Sequence, residues 1–332
     1  MRTTGFFRTR SHRLVALLAL IMALSGCGQH SDTVVLKMGH DLAQTTSVHK
    51  AMEYMSERLE EYSGGTMRLD IYPNGQLGSE RELIELLQIG SLAMTKVSAG
   101  PMENFVPRMQ VFSIPYLFRD HEHFWQTLDS EIGRDLLLAG EAVRLRGLGY
   151  YDAGSRSFYT TRRPVHRPED LAGLRLRVME SQTAMRMVRA LGGSATPISW
   201  GELYTALSQG VVDGAENNPP SFHLSKHYEV SRYFILDEHT YIPDVVLISS
   251  YIWNNLTEQQ QGWLQQAMDE SVEYQKKLWA EATEHALREV QEHGVEVIYP
   301  DKSGFMDAVV EMHKSYRGQP VYDVLRQIQA ME

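Results

Sequence analysis

The chain has 332 residues, with 43% hydrophobic and 22% charged side chains, twelve prolines and one cysteine, a balance that excludes a collagen, a coiled coil and a disordered protein. Its formal charge of −10 disfavours nucleic acid as the main partner, although a local arginine can still bind a small anion in its own pocket. The length predicts two domains, and a single cysteine permits no internal disulfide.

The first thirty residues have the pattern of an export signal. Four arginines and no acidic residue precede the apolar run 14–24, which is too short to span a bilayer as a helix. The Leu-Ser-Gly-Cys sequence at 24–27 is typical of a bacterial lipobox, whose cysteine takes a diacylglycerol. We therefore predict a signal peptide at 1–26 and a lipid on Cys27, the first mature residue; the alternative is a plain signal peptide with an incidental cysteine. Cleavage takes the formal charge from −10 to −14.

Strand and helix patterns alternate at the start of the mature chain. Residues 34–38 and 67–72 have strand patterns, and residues 47–62 between them have helical spacing. Residues 79–82, Ser-Glu-Arg-Glu, form a capping box before the next helix, and 93–98 is the next strand candidate. This βαβαβ order predicts a mostly parallel sheet covered by helices.

A second α/β region begins near Gly147. It has a strand candidate at 174–178, a helix around 183–190 and a further capping box at 199–202. The longest helical pattern runs from 257 to 293 without a proline, and at 1.5 Å per residue a helix of about 35 residues is about 50 Å long. A helix of that length is expected to cross both lobes.

Common enzyme motifs are absent: the sequence contains no phosphate-binding glycine loop, no nucleophile elbow and no zinc-protease motif. His121-Glu122-His123 has the composition of a metal site, but side chains at i and i+2 diverge on a helix, which favours a solvated helix end. Glu180, Glu202 and Glu216 offer acid pairs for glycoside hydrolysis, yet such pairings are expected by chance in an acidic chain. We therefore predict no catalysis, no metal and no cofactor.

The segment 174–178, Leu-Arg-Leu-Arg-Val, places two arginines on one face of a strand. The pattern alone leaves two alternatives: a solvated strand face, or a ligand crevice at the carboxyl end of a parallel strand. Arg156 follows another strand candidate and can reach the same crevice.

Taken together, the motifs resemble those of the substrate-binding proteins of TRAP transporters, the DctP-like extracytoplasmic receptors for organic acids. The resemblance covers essentially the whole mature chain. Its most specific segments are 72–78 (YPNGQLG), 174–178 (LRLRV), 200–207 (WGELYTAL) and 212–219 (VDGAENNP).

This resemblance implies an α/β fold of the two-lobed, periplasmic-binding-protein type II kind, with mixed, mostly parallel sheets and a long helix spanning both lobes. Lobe I is expected to comprise 32–152 plus roughly 243–282. Lobe II is expected to comprise roughly 153–242 plus 283–332.

The resemblance also implies the roles of several side chains. Arg177 is expected to form a bidentate salt bridge with the ligand carboxylate, with Arg156 as a second arginine. Asn217 is expected to hydrogen-bond the ligand, Trp200 to form an aromatic wall, and Glu216 mainly to hold Asn217 and its loop. Further candidates, for ligand hydroxyls, are Lys96, Ser98, Asp41, His40 and His49.

The ligand class follows from one further position. Glu180 matches a position that faces ligand in the family, where a carboxylate repels a second ligand carboxylate and accepts hydrogen bonds from hydroxyls. This favours a polyhydroxy monoacid, and segments 177–184 and 236–240 are most similar to members that bind hexuronates such as glucuronate or galacturonate. Ser98 stands where sialic acid binders have a glutamate, which disfavours sialate.

The sequence thus predicts a binding protein of the periplasm or cell surface, anchored by lipid at most, that delivers a sugar acid to an ion-driven TRAP permease. Three alternatives remain: a binder of a C4-dicarboxylate or keto acid, a periplasmic sensory receptor, and a hydrolase of acidic sugars.

Overall fold

A computed structural model describes residues 33–331. The predicted signal peptide and the lipid site at Cys27 lie outside these residues. Within 33–331, no helix is both long enough and apolar enough to cross a membrane.

The described chain contains strands that form two sheets. In order they are β1 Val34–Gly39, β2 Met67–Tyr72, β3 Met94–Ser98, β4 Leu145–Tyr151, β5 Ser155–Thr160, β6 Arg175–Val178, β7 Ser194–Pro197, β8 Gly214–Asn217, β9 Tyr233–Tyr241, β10 Asp244–Ser249 and β11 Glu296–Ile298.

Helices cover both sheets. In order they are α1 Ser47–Ser63, α2 Glu80–Gln88, α3 Ala99–Met102, α4 His121–Asp129, α5 Glu131–Leu138, α6 Gln182–Ala190, α7 Trp200–Ser208, α8 Pro219–Leu224, α9 Ser250–Trp253, α10 Glu258–Glu292, α11 Ser303–Ala308, α12 Val310–Lys314 and α13 Val321–Gln329. Short 3₁₀ turns occupy Pro107–Ser113, Glu141–Val143, Pro168–Leu171 and His227–Glu229.

The first sheet has the strand order β2-β1-β3-β10-β4. Strand β1 is parallel to β2 and β3, whereas β10 runs antiparallel between β3 and β4. The connecting helices begin at side-chain caps: Thr46 accepts a hydrogen bond from the N–H of His49, and Ser79 forms the predicted capping box with Glu82. The predicted βαβαβ order is therefore confirmed.

The second sheet has the order β11-β9-β5-β8-β6-β7 and is also mixed. Strand β6 is parallel to β7 and β8, and β5 is antiparallel to β8 and β9. The capping box predicted at the start of α7 is wrong in detail. The Ser199 hydroxyl donates to the Glu202 carboxylate (2.9 Å), while the backbone N–H of Glu202 donates to the Ser199 carbonyl (3.3 Å), so the Ser199 side chain caps no backbone group.

The chain passes between the sheets through two short segments, 152–154 after β4 and 242–243 after β9. A third connection is α10, which begins at the predicted capping box of Thr257 and Gln260. This helix packs against α1 beside the first sheet and against α8 beside the second. The prediction of a long helix that crosses both lobes is therefore confirmed.

The two lobes share one large hydrophobic core. Val97 and Phe112 from the first lobe belong to the same buried cluster as Leu176 and Val178 from β6. The C-terminal α13 packs against α5 and the turn 107–113, which lie between β3 and β4 in sequence, although the prediction groups 283–332 with lobe II. The amphipathic α13 buries its apolar side there. The lobe boundaries stay a prediction.

Candidate ligand-binding site

A cavity with an empty volume of about 1000 Å³, part of it open to solvent, lies between the two sheets. Its wall includes residues that lie one or two positions past the carboxyl ends of parallel strands: Asp41 after β1, Glu180 after β6 and Asn218 after β8. Ligands of open α/β sheets bind at this edge. The cavity is therefore the candidate site.

Arg177 lines the cavity from β6, although only 2% of the residue is exposed. Its Nε–H donates to the backbone carbonyl of Ile198 (2.8 Å), which orients the guanidinium plane. Its Nη1 is buried without a hydrogen-bond partner among the described residues. Burial lowers the pKa of Arg177, but arginine stays protonated at physiological pH. A buried, charged donor without a partner at a cavity wall is suited to bind an anion.

The two arginines of β6 differ in exposure and in partners. Arg175 is exposed and donates to both carboxylate oxygens of Asp213, each at 2.9 Å. Arg177 lies two residues closer to the carboxyl end of the strand, where the cavity opens. The sequence left a solvated face and a ligand crevice as alternatives for this strand; in the structure Arg175 is at the solvated face and Arg177 lines the cavity.

Aromatic and apolar groups flank Arg177. The guanidinium carbon lies 5.9 Å from the ring centroid of Trp200, at the outer limit of a cation–π contact. Met179 and Glu180 follow on the same wall, and the backbone carbonyl of Glu180 accepts a hydrogen bond from Asn104 Nδ2 (2.6 Å). The charged group thus has an aromatic ring beside it, which suits a ligand with an apolar face.

Arg156 on β5 also lines the cavity, but most of its donors are engaged. Its Nε and Nη2 donate to the Glu216 carboxylate (2.5 and 2.9 Å), and Nη1 donates to Asn217 Oδ1 (2.9 Å). The same Asn217 oxygen accepts the backbone N–H of Asn218 (2.9 Å), which leaves the Asn217 amide nitrogen as a donor toward the cavity. Arg156 therefore orients Asn217 and has its counter-charge within the protein.

A buried chain of alternating charges continues behind Arg156. His239 Nδ1 lies 2.8 Å from Asp237 Oδ2, and its Nε2 lies 3.6 Å from Glu216 Oε2. Burial opposes the charge of His239, but these two carboxylates raise its pKa to about 9. Burial likewise opposes the charge of Glu216, but Arg156 and His239 lower its pKa to about 2. These four groups balance one another, so Arg177 is the cation of this wall that no described carboxylate neutralises.

The opposite wall, from the first sheet, is acidic. Lys96 Nζ lies 3.2 Å from Asp244 Oδ1, 3.4 Å from Glu80 Oε1 and 3.9 Å from Asp41 Oδ1. Burial alone would lower the pKa of Lys96, but the three carboxylates raise it above its ordinary value. Burial and the neighbouring Asp41 raise the pKa of Glu80 to about 7, and burial also raises the pKa of Asp41. Three carboxyl groups thus share one ammonium; we call Asp41, Glu80, Lys96 and Asp244 the acidic wall.

The residues predicted for the site divide into two groups. Eight line the cavity: Arg177, Arg156, Asn217, Glu180, Trp200, Lys96, Ser98 and Asp41. His40, His49 and Glu216 do not, because each is buried behind the wall.

The two histidines hold the segment that carries Asp41. His40 Nδ1 accepts the backbone N–H of Leu42 (3.2 Å), so its Nε2 donates to His49 Nδ1 (2.9 Å). Burial and the nearby Lys96 lower the pKa of His40 to about 3. The expectation that these rings address ligand hydroxyls differs from their observed place. Their nitrogens face each other, the backbone N–H of Leu42 and, for His49 Nε2, the Glu53 carboxylate (3.2 Å).

Glu80, Asp244 and Trp279 are among the residues of the cavity wall that sequence reasoning missed. In the sequence, Glu80 is recognisable only as part of the capping box at α2. Asp244 begins a strand whose residues are all buried, and a carboxylate at the head of such a run is a usable signal. Trp279 follows the apolar spacing of α10, a pattern that by itself predicts only a packing face.

Trp279 also contacts the crossover between the lobes. A Cβ added to Gly154, whose φ is +56°, would lie 3.1 Å from Trp279 Nε1. One turn earlier, Gln275 exchanges two hydrogen bonds with the backbone of Asp152, each 2.8 Å long. The long helix thus holds the crossover directly beside the cavity.

Two α/β lobes joined by crossovers, with a cavity between them lined by binding groups from both, define the class of extracytoplasmic solute-binding proteins. The family model for bacterial extracellular solute-binding protein, family 7 (DctP), matches residues 38–319. The chain therefore belongs to this family, and the family and fold indicated by the sequence are confirmed.

Relatives match over nearly their full lengths. An uncharacterized protein, YiiZ, of Salmonella typhimurium is 37% identical over 99% of each chain. The C4-dicarboxylate-binding periplasmic protein DctP of Rhodobacter capsulatus is 30% identical over 90% of this chain and 91% of its own.

Solved structures agree in fold. A TRAP periplasmic solute-binding protein of Bradyrhizobium in complex with α/β-D-galacturonate has a TM-score of 0.87 and 36% identity, over 89% of this chain and 99% of its own. One of Pseudomonas putida F1 with bound D-glucuronate has a TM-score of 0.87 and 34% identity, over 90% and 98%. These neighbours are solute-binding proteins.

Proposed function

We propose that this protein is the extracytoplasmic solute-binding protein of a TRAP-type secondary transporter and that it binds a hexuronate such as D-galacturonate or D-glucuronate. The observation that carries the proposal is the buried guanidinium of Arg177, with a free Nη1 at the cavity wall. A planar guanidinium matches a carboxylate with two parallel hydrogen bonds. Neighbouring structures with bound hexuronates support this ligand.

In this proposal the remaining groups orient the sugar. The Asn217 amide donates to the carboxylate or to a neighbouring hydroxyl, and Trp200 covers the apolar face of the ring. Closing the lobes around ligand gives the permease a shape that differs from the open one, and the ligand favours closure by its higher affinity for the closed state. Export, a lipid on Cys27 and the permease as partner belong to the same proposal.

The state of Glu216 argues against this residue as the acid of a glycosidase. This carboxylate is buried behind Arg156 and kept ionised, whereas a glycosidase needs a carboxylic acid that can donate a proton into its cleft.

A binder of C4-dicarboxylates is the second candidate because a relative carries that name. The acidic wall disfavours it, since Lys96 is already surrounded by three carboxylates. Arg81, the other cation of the first lobe that lines the cavity, is paired with Glu85 (3.1 Å).

Thermal unfolding with a ligand panel tests the proposal. A ligand at 100 times its Kd adds about 2.7 kcal/mol to the unfolding free energy, so micromolar hexuronate should raise the Tm by several degrees. C4-dicarboxylates, keto acids and sialate at the same concentration should give no comparable shift. A rise in Tm with succinate or malate alone would contradict the hexuronate assignment.

A further inference from the structure

We propose that the acidic wall is the subsite for the hydroxyl groups of the ligand and that it excludes ligands with a second carboxylate. The proposal rests on the hexuronate assignment above and adds which residues set that specificity. It assigns the exclusion to Asp41, Glu80 and Asp244, and not to Glu180 as the sequence suggested.

The first observation is an acceptor without a donor. Asp41 lines the cavity and its side chain is only 9% exposed, yet its Oδ1 has no hydrogen-bond partner within residues 33–331. The distance of 3.9 Å to Lys96 Nζ is too long for a hydrogen bond. A buried carboxylate oxygen at a cavity wall needs a donor, and a ligand hydroxyl is a group that can supply one.

The second observation is that the charge of Lys96 is already balanced by carboxyl groups of the protein. An ammonium has three N–H donors, and Lys96 makes hydrogen bonds to Glu80 (3.4 Å) and Asp244 (3.2 Å) with Asp41 next in distance. A ligand carboxylate at this wall would meet three carboxyl groups around one cation. Its charge would add to a cluster whose repulsion already contributes to the raised pKa of Glu80.

The third observation is that the acceptors are held in place. Glu80 Oε1 accepts the backbone N–H of Ser98 (2.8 Å), and Asp244 Oδ1 accepts the Ser98 hydroxyl (2.9 Å). Oriented carboxylate acceptors on one wall and an unpaired guanidinium on the other give the cavity a polarity. A monocarboxylate with hydroxyls at its far end matches that polarity, whereas a dicarboxylate matches only half of it.

The test compares three ligands by isothermal titration calorimetry. D-Glucuronate is the proposed type of ligand, and D-gluconate and D-glucarate are open-chain acids that differ only in having a hydroxymethyl group or a carboxylate at C6. We expect the wild-type protein to bind gluconate at least thirtyfold more tightly than glucarate. Equal affinity for the two would overturn the exclusion.

The Asp41→Asn variant tests the wall itself. It should weaken glucuronate binding about tenfold and reduce the gluconate-to-glucarate ratio at least fivefold, because it removes an acceptor and a negative charge. The matched Glu180→Gln variant should leave the gluconate-to-glucarate ratio within twofold. A ratio that falls in Glu180→Gln and not in Asp41→Asn would overturn the proposal. If Asp41→Asn does not fold, Glu80→Gln carries the same expectation for the ratio.

The results that would contradict the hexuronate assignment differ from those that would contradict the proposed role of the acidic wall. Binding of gluconate without binding of any hexuronate would overturn the hexuronate assignment alone, and the ratio would still test the wall. Binding of succinate or malate without any hydroxy monoacid would overturn both.

Discussion

The two walls of the cleft use buried charge in opposite ways. On the second-sheet wall, Arg156 is neutralised by Glu216, so Arg177 is the cation that remains for a ligand. On the first-sheet wall, one lysine is surrounded by three carboxyl groups, so acceptors remain instead. Both walls bury ionised groups, at a cost that only partners can offset. Which group is left without a partner therefore determines what each wall binds.

The largest expected effect is on the cationic wall. Arg177→Lys keeps the charge but removes the fork of donors, so it should weaken hexuronate binding at least 100-fold, or about 2.7 kcal/mol. Calorimetric titration measures this loss. The matched control is Arg175→Lys on the same strand. Arg175 is exposed and paired with Asp213, so this variant should bind hexuronate within twofold of the wild-type affinity. Near-normal affinity in Arg177→Lys would contradict the anion-binding role of Arg177.

The largest effect on stability, as distinct from affinity, concerns the counter-charge of Arg156. Glu216→Gln leaves a buried guanidinium without its ionic partner and should lower the free energy of unfolding by about 3 kcal/mol. The matched control is Asp213→Asn, which breaks a similar ion pair at the surface and should cost at most about 1 kcal/mol. Urea unfolding compares the two. Equal losses would mean that the pair at Arg156 is not buried as described.

A smaller effect depends on pH. The pKa of His239 rises from its ordinary 6.5 to about 9, so its bound proton stabilises the fold fully below pH 6.5 and this contribution is lost as pH rises from 6.5 to 9. His239→Gln should therefore lose more unfolding free energy at pH 6.5 than at pH 9.

The control for this prediction is His166→Gln, at an exposed position. Urea unfolding of the three proteins at both pH values gives the comparison, and taking differences from wild type cancels the other titrating groups. A loss in His239→Gln that is the same at both pH values would contradict a charged His239.

The smallest effect is at the crossover between the walls. Gly154→Ala forces a side chain onto a backbone with φ of +56° and toward Trp279, and should lower the unfolding free energy by about 2 kcal/mol. Gly173→Ala also has a positive φ, +80°, but its new Cβ has open space, so about 1 kcal/mol is expected. The difference in urea unfolding measures the contact with Trp279. No difference would mean that Trp279 does not restrain the crossover.

The sequence predicted the cationic wall better than the acidic wall, for a physical reason. Arg177 lies in a strand with a clear alternating pattern, so its face and its place at the carboxyl end of the strand were both visible. The acidic wall brings together Asp41, Glu80, Lys96 and Asp244 from four separate segments, and Asp244 pairs with the region around Ser98 only through an antiparallel strand from much later in the chain.

The sequence likewise did not show which residues line the cavity and which lie behind its wall. His40 and Asp41 are neighbours in sequence, yet Asp41 lines the cavity whereas His40 contacts His49 behind the cavity wall. The positions of helices and their caps follow local rules, as the boxes at Ser79 and Thr257 show. Which side chain is left without a partner depends on tertiary packing, which local patterns do not determine.

A crystal structure of the protein with bound D-galacturonate tests the central claim most directly. The account predicts that the ligand carboxylate makes two hydrogen bonds of about 2.8 Å to the guanidinium of Arg177 and that its far hydroxyls donate to carboxylates of the acidic wall. A ligand bound in the reverse direction, with its carboxylate at Lys96 and its hydroxyls at Arg177, would contradict it.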